Sequence, residues 1–202
     1  MKSDGAPAIA ADPFFVRMEG LVIAKLILAT PWLIYLGIKD YRTRQLPNVA
    51  TLGASVVMLA VAFGVGVQYG VNSLISGALC ALFLLLPFFL RAAGAGDVKM
   101  LFAAGLIAGP GNVLNLILLI SFAGLILAIF MLLFRAVNAA RLKHYLRCLF
   151  DFKYDRKKGR EALPSADSEA CRVPFGVAIA AGLFLNLLLQ LLAALSVNMD
   201  YV

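Results

Sequence analysis

Apolar residues in this chain come in long unbroken runs rather than in alternation. Six runs are visible: about Leu21 to Ile38, Val49 to Val67, Val71 to Leu90, Val98 to Ala108, Val113 to Phe134 and Pro174 to Leu195. Wound as helices, runs near twenty residues match the hydrocarbon thickness of a bilayer. Strands of a membrane barrel would instead alternate in segments of about ten residues. These runs are apolar all round, so no amphipathic face stands out to orient them. The pattern predicts an all-α membrane protein, a bundle of six transmembrane helices. Residues 1–17 read as a polar N-terminal tail, 18–196 as one membrane domain and 197–202 as a short C-terminal tail. The start does not read as a secretory signal, because the apolar stretch after it exceeds a signal's core of about 7–15 residues.

The fourth run fits a bilayer least well. Its residues, Val98 to Ala108, would reach only about 16 Å as a helix, against a hydrocarbon core of about 30 Å. A re-entrant hairpin is the alternative, but the fifth run would then carry the most cationic segment to the opposite side from the other cations. A crossing helix is therefore expected, with Gly94 to Asp97 below the membrane surface. Irregular backbone at that depth must be buried in protein or face a water-filled cavity.

Composition agrees with lipid as the solvent: 62% of residues are hydrophobic and 14% charged, against about 25% charged in soluble domains. The net charge of +7 matters through its placement. Six crossings put fifteen Lys and Arg on one side: Lys39, Arg42, Arg44, Arg91, Lys99 and ten between Arg135 and Arg172. Lys2, Arg17 and Lys25 are the three on the other side. The positive-inside rule makes the rich side cytoplasmic, which leaves both termini on the non-cytoplasmic side and Asp40 and Asp97 at the cytoplasmic end. Lys25, near the start of its run, is expected to snorkel to the interface. The cationic stretch 135–173 reads as a cytoplasmic loop against anionic headgroups, or else as a substrate guide or lid. Leu142 to Phe152 within it could form a short amphipathic surface helix.

Other chemistry is sparse. No basic stretch interleaved with aromatics points to nucleic acid. Cys80, Cys148 and Cys171 are odd in number and far apart, which argues against a disulfide framework or a zinc site. His144 is the single histidine and sits among Lys143, Tyr145 and Arg147 as a solvated loop residue. No metal and no cofactor is expected.

What is left is two carboxylates at the ends of apolar runs. Ionisable groups near membrane depth are costly and point to function by default. Asp97 lies in Gly94-Ala95-Gly96-Asp97-Val98-Lys99-Met100, and Asp40 opens Asp40-Tyr41-Arg42-Thr43-Arg44-Gln45-Leu46-Pro47-Asn48. Each has a plainer role: Asp40 at a helix end by the interface, Asp97 as the cap of the fourth helix. Together they share a membrane face, and the two-helix excursion between them lets their ends meet. Gly94 and Gly96 lack Cβ atoms, which permits close approach or positive φ. Pro47 stops a helix through the connection. Facing carboxylates share a proton and titrate as a pair, one taking a proton from water while the other donates to a carbonyl.

The two motifs, G-A-G-D-V-K-M at 94–100 and D-Y-R-T-R-Q-L-P-N at 40–48, resemble those of the type IV prepilin and preflagellin peptidases, membrane aspartyl proteases of the GxGD kind. The resemblance is close over about residues 30–110 and looser, through the six-span topology, to residue 195. It implies that Asp40 and Asp97 are the catalytic pair and that Gly94 and Gly96 flank the scissile bond. Pro47, Asn48 and Lys99 join them as candidate substrate contacts. It implies cleavage of a pilin precursor's basic leader after a glycine, at the cytoplasmic face of a bacterial inner membrane, without a metal. The leader, the bilayer and pilus-assembly machinery are the implied partners. The chain lacks the paired C-x-x-C domain of longer bifunctional members, so it is similar to the compact peptidases of tight-adherence (Flp) pili.

Several single residues carry narrower expectations. Lys99 either anchors to headgroups or tunes Asp97. Arg42 and Arg44 set orientation or meet an acidic residue of the mature pilin. Asn48 is a candidate cap for the second helix. Gly105 and Gly109 have the spacing of close helix packing, and Asn186 and Gln190 that of interhelical hydrogen bonds. Two other functions are alternatives: a proton- or cation-coupled carrier that uses the same aspartates, and a non-catalytic scaffold of a pilus or secretion machine, in which the pair would have no purpose.

Overall fold

The computed structural model describes residues 13–43, 46–89, 93–133 and 174–199. The stretch 135–173, with His144, Cys148, Cys171 and the expected helix at Leu142 to Phe152, lies outside the described residues, as do residues 1–12 of the expected tail. Within them the protein is all-helical. In chain order the helices are α1 (Pro13–Thr43), α2 (Asn48–Val65), α3 (Val67–Phe89), α4 (Ala95–Ala108), α5 (Val113–Leu133) and α6 (Phe175–Met199). Residues 13–17, read as the end of a tail, are the first turns of α1, and α6 runs on to Met199. Five of these helices, all but α4, are long and apolar enough to cross a membrane.

The short fourth helix is the centre of the bundle. It begins at Ala95, three residues before the apolar run, and its 14 residues extend about 21 Å. From Met100 to Ala108 all but Phe102 are buried. It packs most extensively on α3, then on α2 and α6, while α6 also packs on α1 and α5. A helix sheathed in this way need not match the bilayer's thickness, since its ends meet protein rather than lipid. Large apolar side chains on the outer helices, such as Ile27, Val56, Leu82, Phe122 and Ile129, are exposed, as suits a surface solvated by lipid tails.

Small residues let α3 and α4 touch backbone to backbone. A Cβ built on Gly105 would lie 2.8 Å from Gly77 Cα, 2.8 Å from Ser76 O and 2.9 Å from Cys80 Sγ. Gly109 does something more. It follows the last turn of α4 with φ at +81° and donates its N–H to Gly105 O at 3.1 Å, a left-handed position that favours glycine. Both glycines of the expected pair are closely packed, Gly109 against Tyr69 Oη and Lys25 Nζ (2.9 and 3.1 Å from an added Cβ), and Gly109 is also the helix stop.

Polar side chains satisfy the far end of the bundle, away from the aspartates. Gln190 donates to Asn186 Oδ1 at 2.6 Å and across to Ala108 O at 3.2 Å, so α6 covers a carbonyl that α4 cannot satisfy itself. Lys25 does not snorkel. It is 6% exposed, donates to Tyr69 Oη at 2.8 Å and stands 5.5 Å from that ring's centroid. The reason is its register. Lys25, Ala29, Leu33, Leu36 and Asp40 form one buried stripe of α1 at helical spacing, so Lys25 points inward, where a cation over a tyrosine face is favourable.

Replacing Gly105 with valine should destabilise the protein by about 1–3 kcal/mol, because the added atoms meet backbone that cannot swing aside. Gly53→Val, where nothing lies within 4 Å of the added Cβ, should leave the melting temperature in detergent unchanged. Equal melting of the two variants would contradict the α3–α4 contact.

Candidate active site

The connection between α1 and α2 begins the site. The backbone before Pro47 is steered away from helix, and Pro47 itself holds φ −68° and ψ 125° at the N-cap of α2. Asn48 does not cap that helix; Pro47 stands at the cap without a side-chain bond. Instead Asn48 Oδ1 accepts from Lys99 Nζ at 2.8 Å, which ties the start of α2 to the first turns of α4. Lys99 therefore acts as a strut between helices. Leu46 closes the same seam, since a Cβ on Gly96 would stand 3.0 Å from Leu46 Cβ. Trp32 Nε1 donates to Ala50 O at 2.9 Å and fastens α1 to α2.

Asp97 occupies the third position of α4. Its Oδ2 accepts from the Gly94 N–H at 2.9 Å, while its own N–H donates to Gly94 O at 3.1 Å. This is the carboxylate half of a capping box; glycine has no side chain to return the bond. Gly94 has φ −85° and ψ 155°, ordinary extended backbone, so its conformational freedom goes unused. What the two glycines supply is clearance: a Cβ on Gly94 would sit 3.3 Å from Asp97 Oδ2.

Asp40 is in the last turn of α1, where the helix dipole is unfavourable to an anion. Its environment comes from elsewhere. Asp40 is 4% exposed, and its Oδ2 accepts from the Val177 N–H of α6 at 3.3 Å. The two sequence-predicted aspartates are therefore seated alike, each beside amide groups at a helix start, one on its own helix and one on a helix 137 residues away. The Asp40–Val177 contact joins the end of α1 to the start of α6, and Lys99–Asn48 and Leu46–Gly96 join the starts of α2 and α4, so both carboxylates stand at the same end of the bundle. Asn186 and Gln190 are at the opposite end.

The sequence model of the type IV leader peptidase family matches residues 27–129, a little over half of the chain. The chain belongs to that family. No curated protein and no solved structure matches it. Membership in the leader peptidase family makes the protein a protease, and its apolar helices make it a membrane protein. Both aspartates, Pro47, Asn48, Lys99 and the two motif glycines lie inside the matched region.

Gly176 and Val177 lie outside it, and sequence reasoning passed over them. One signal was there: α6 opens on Pro174-Phe175-Gly176, with no Ser, Thr, Asp or Asn in the four residues before Phe175 to cap it. A helix start without a local cap must find acceptors in another part of the fold or in solvent.

The Lys99–Asn48 strut can be tested by a double-mutant cycle. Asn48→Ala and Lys99→Met should be non-additive in unfolding, with a coupling of about 0.5 kcal/mol, as expected for a pair open to solvent. Full additivity would return Lys99 to a role in lipid anchoring.

Proposed function

We propose that Asp40 and Asp97 are the catalytic pair of a membrane aspartic endopeptidase that removes the leader from Flp-type prepilins. The observation that carries this reading is the placement of two carboxylates, from separate helices, at the same end of a membrane bundle, each accepting a backbone N–H at a helix start. In the reaction, the ionised member takes a proton from water, whose oxygen attacks the scissile carbonyl carbon. The protonated member donates to the carbonyl oxygen. Collapse of the tetrahedral species breaks the C–N bond, and the departing amine takes a proton from the pair. No metal or cofactor takes part in this scheme.

The chain's other candidates take supporting places. Gly94 leaves space beside the Asp97 carboxylate for a substrate backbone, and Gly96 supports the site by letting Leu46 close against the start of α4. Pro47, Asn48 and Lys99 form the rim between α2 and α4, where a leader could be held. The excess of cations on the loops of the aspartate end supports a cytoplasmic site in a bacterial inner membrane.

Leader removal from a purified Flp-type prepilin in detergent tests the reading. Asp40→Asn and Asp97→Asn should each lower the rate by at least about 100-fold, the lower range for loss of general acid–base catalysis. The fold should survive, because an amide oxygen can still accept the Val177 or Gly94 N–H. Cleavage at the wild-type rate in either variant would end the assignment. A proton-driven flux abolished by the same substitutions, with cleavage intact, would favour a carrier.

A further inference from the structure

The first turn of α6 is shaped around a carboxylate that belongs to another helix. Pro174 has no side-chain acceptor, and the first N–H groups of any helix lack partners within it. Leaving such a group buried and unpaired is costly in an apolar setting. The Val177 N–H is shared between Pro174 O at 3.2 Å and Asp40 Oδ2 at 3.3 Å. Gly176 is what lets the carboxylate in. A Cβ there would stand 2.8 Å from Asp40 Oδ2, 2.9 Å from Cγ and 3.2 Å from Cβ.

The position of those atoms decides what a substitution would do. Rotation about χ1 could move the Asp40 oxygens, but its Cβ is fixed to the α1 backbone. A side chain at 176 must therefore turn Asp40 off its seat or push α1 away from α6. We propose that Gly176 is a positioning residue of the peptidase, and that the start of α6 sets the orientation of Asp40 through the Val177 amide. This rests on reading Asp40 as catalytic. Asp97 accepts the Gly94 N–H at the start of its own helix. The two acids thus differ in the amide each accepts: one from its own helix for Asp97, one from the chain's last helix for Asp40.

Gly182 supplies an internal control on the same helix. A Cβ there would come within 2.8 Å of Ile120 Cα and N, an equally close contact that faces α5 and touches no aspartate. Full-length wild type, Gly176→Ala and Gly182→Ala should be compared on an Flp-type prepilin in detergent, with melting temperatures alongside. Gly176→Ala should lower kcat by about 100-fold, the scale of a catalytic group misplaced by about 1 Å, with KM unchanged. Gly182→Ala should melt earlier but keep the kcat of its folded fraction.

If Gly176→Ala folds too poorly to assay, stability gives the same answer. The melting penalty of Gly176→Ala should shrink when Asp40 is already alanine, because the crowding oxygens and Cγ are gone. Wild-type kcat in Gly176→Ala, activity losses that follow only the folded fraction in both glycine variants, or additive melting penalties would overturn the proposal. Cleavage by Asp40→Asn would instead remove the catalytic assignment on which it stands.

Discussion

A buried carboxylate at the C-terminal end of one helix is tolerable only if positive partial charge meets it from another. In this protein the start of α6 provides that charge to Asp40, through the Val177 N–H and the space left by Gly176. The contact answers two needs at once. It relieves an acid placed where its own helix dipole opposes it, and it gives an uncapped helix start an acceptor. The pairing of α1 with α6 is consequently among the most extensive in the bundle.

The rest of the arrangement follows from how backbone groups are satisfied inside lipid. The central helix α4 is shorter than the hydrocarbon core, and each of its ends is met by protein. Its first turn carries Asp97 on the Gly94 N–H, and its last carbonyl is reached by Gln190. Lys99 and Leu46 bind the starts of α2 and α4, so the aspartate end is cross-tied three ways while the outer faces remain apolar. At the other end Lys25 and Tyr69 close the stripe of α1 that finishes at Asp40. The span from Lys25 to Asp40 is about 22 Å at 1.5 Å per residue, so one buried stripe carries a cation and an anion at its two ends. A scaffold of this kind holds acidic groups near membrane depth without leaving charge in hydrocarbon.

Much of the fold was legible in the run lengths, because lipid demands about 20 apolar residues per crossing. The places where the reading slipped have a shared physical cause. Where every face of a helix is apolar, sequence does not reveal which side meets protein, so Lys25 was assigned to the interface although its register buries it. The start of α4 was set too late because Ala95 and Gly96 are not part of the apolar run, yet Asp97 at the third position organises the turn before it. Of the two things glycine permits at position 94, close approach and positive φ, only the small size is used, since its φ is ordinary. Gly109 packs against Tyr69 and Lys25 as its spacing suggests, but it also ends a helix. The two motifs point to Asp40 and Asp97, while the seat of Asp40 is legible only as an uncapped start of α6, because a contact across 137 residues does not name its partner locally.

What matters most is whether the two carboxylates can reach one peptide bond from their separate helices. Cysteines at positions 40 and 97, in a background with Cys80, Cys148 and Cys171 replaced by alanine, can be treated in native membranes with a short bifunctional thiol reagent. A neighbouring pair at Leu46 and Gly96, whose Cβ atoms would be in contact, serves as the standard for linkage. Efficient joining of 40 to 97 is the expected result. Linkage of the 46–96 pair with none between 40 and 97, with or without a bound prepilin, would contradict the account.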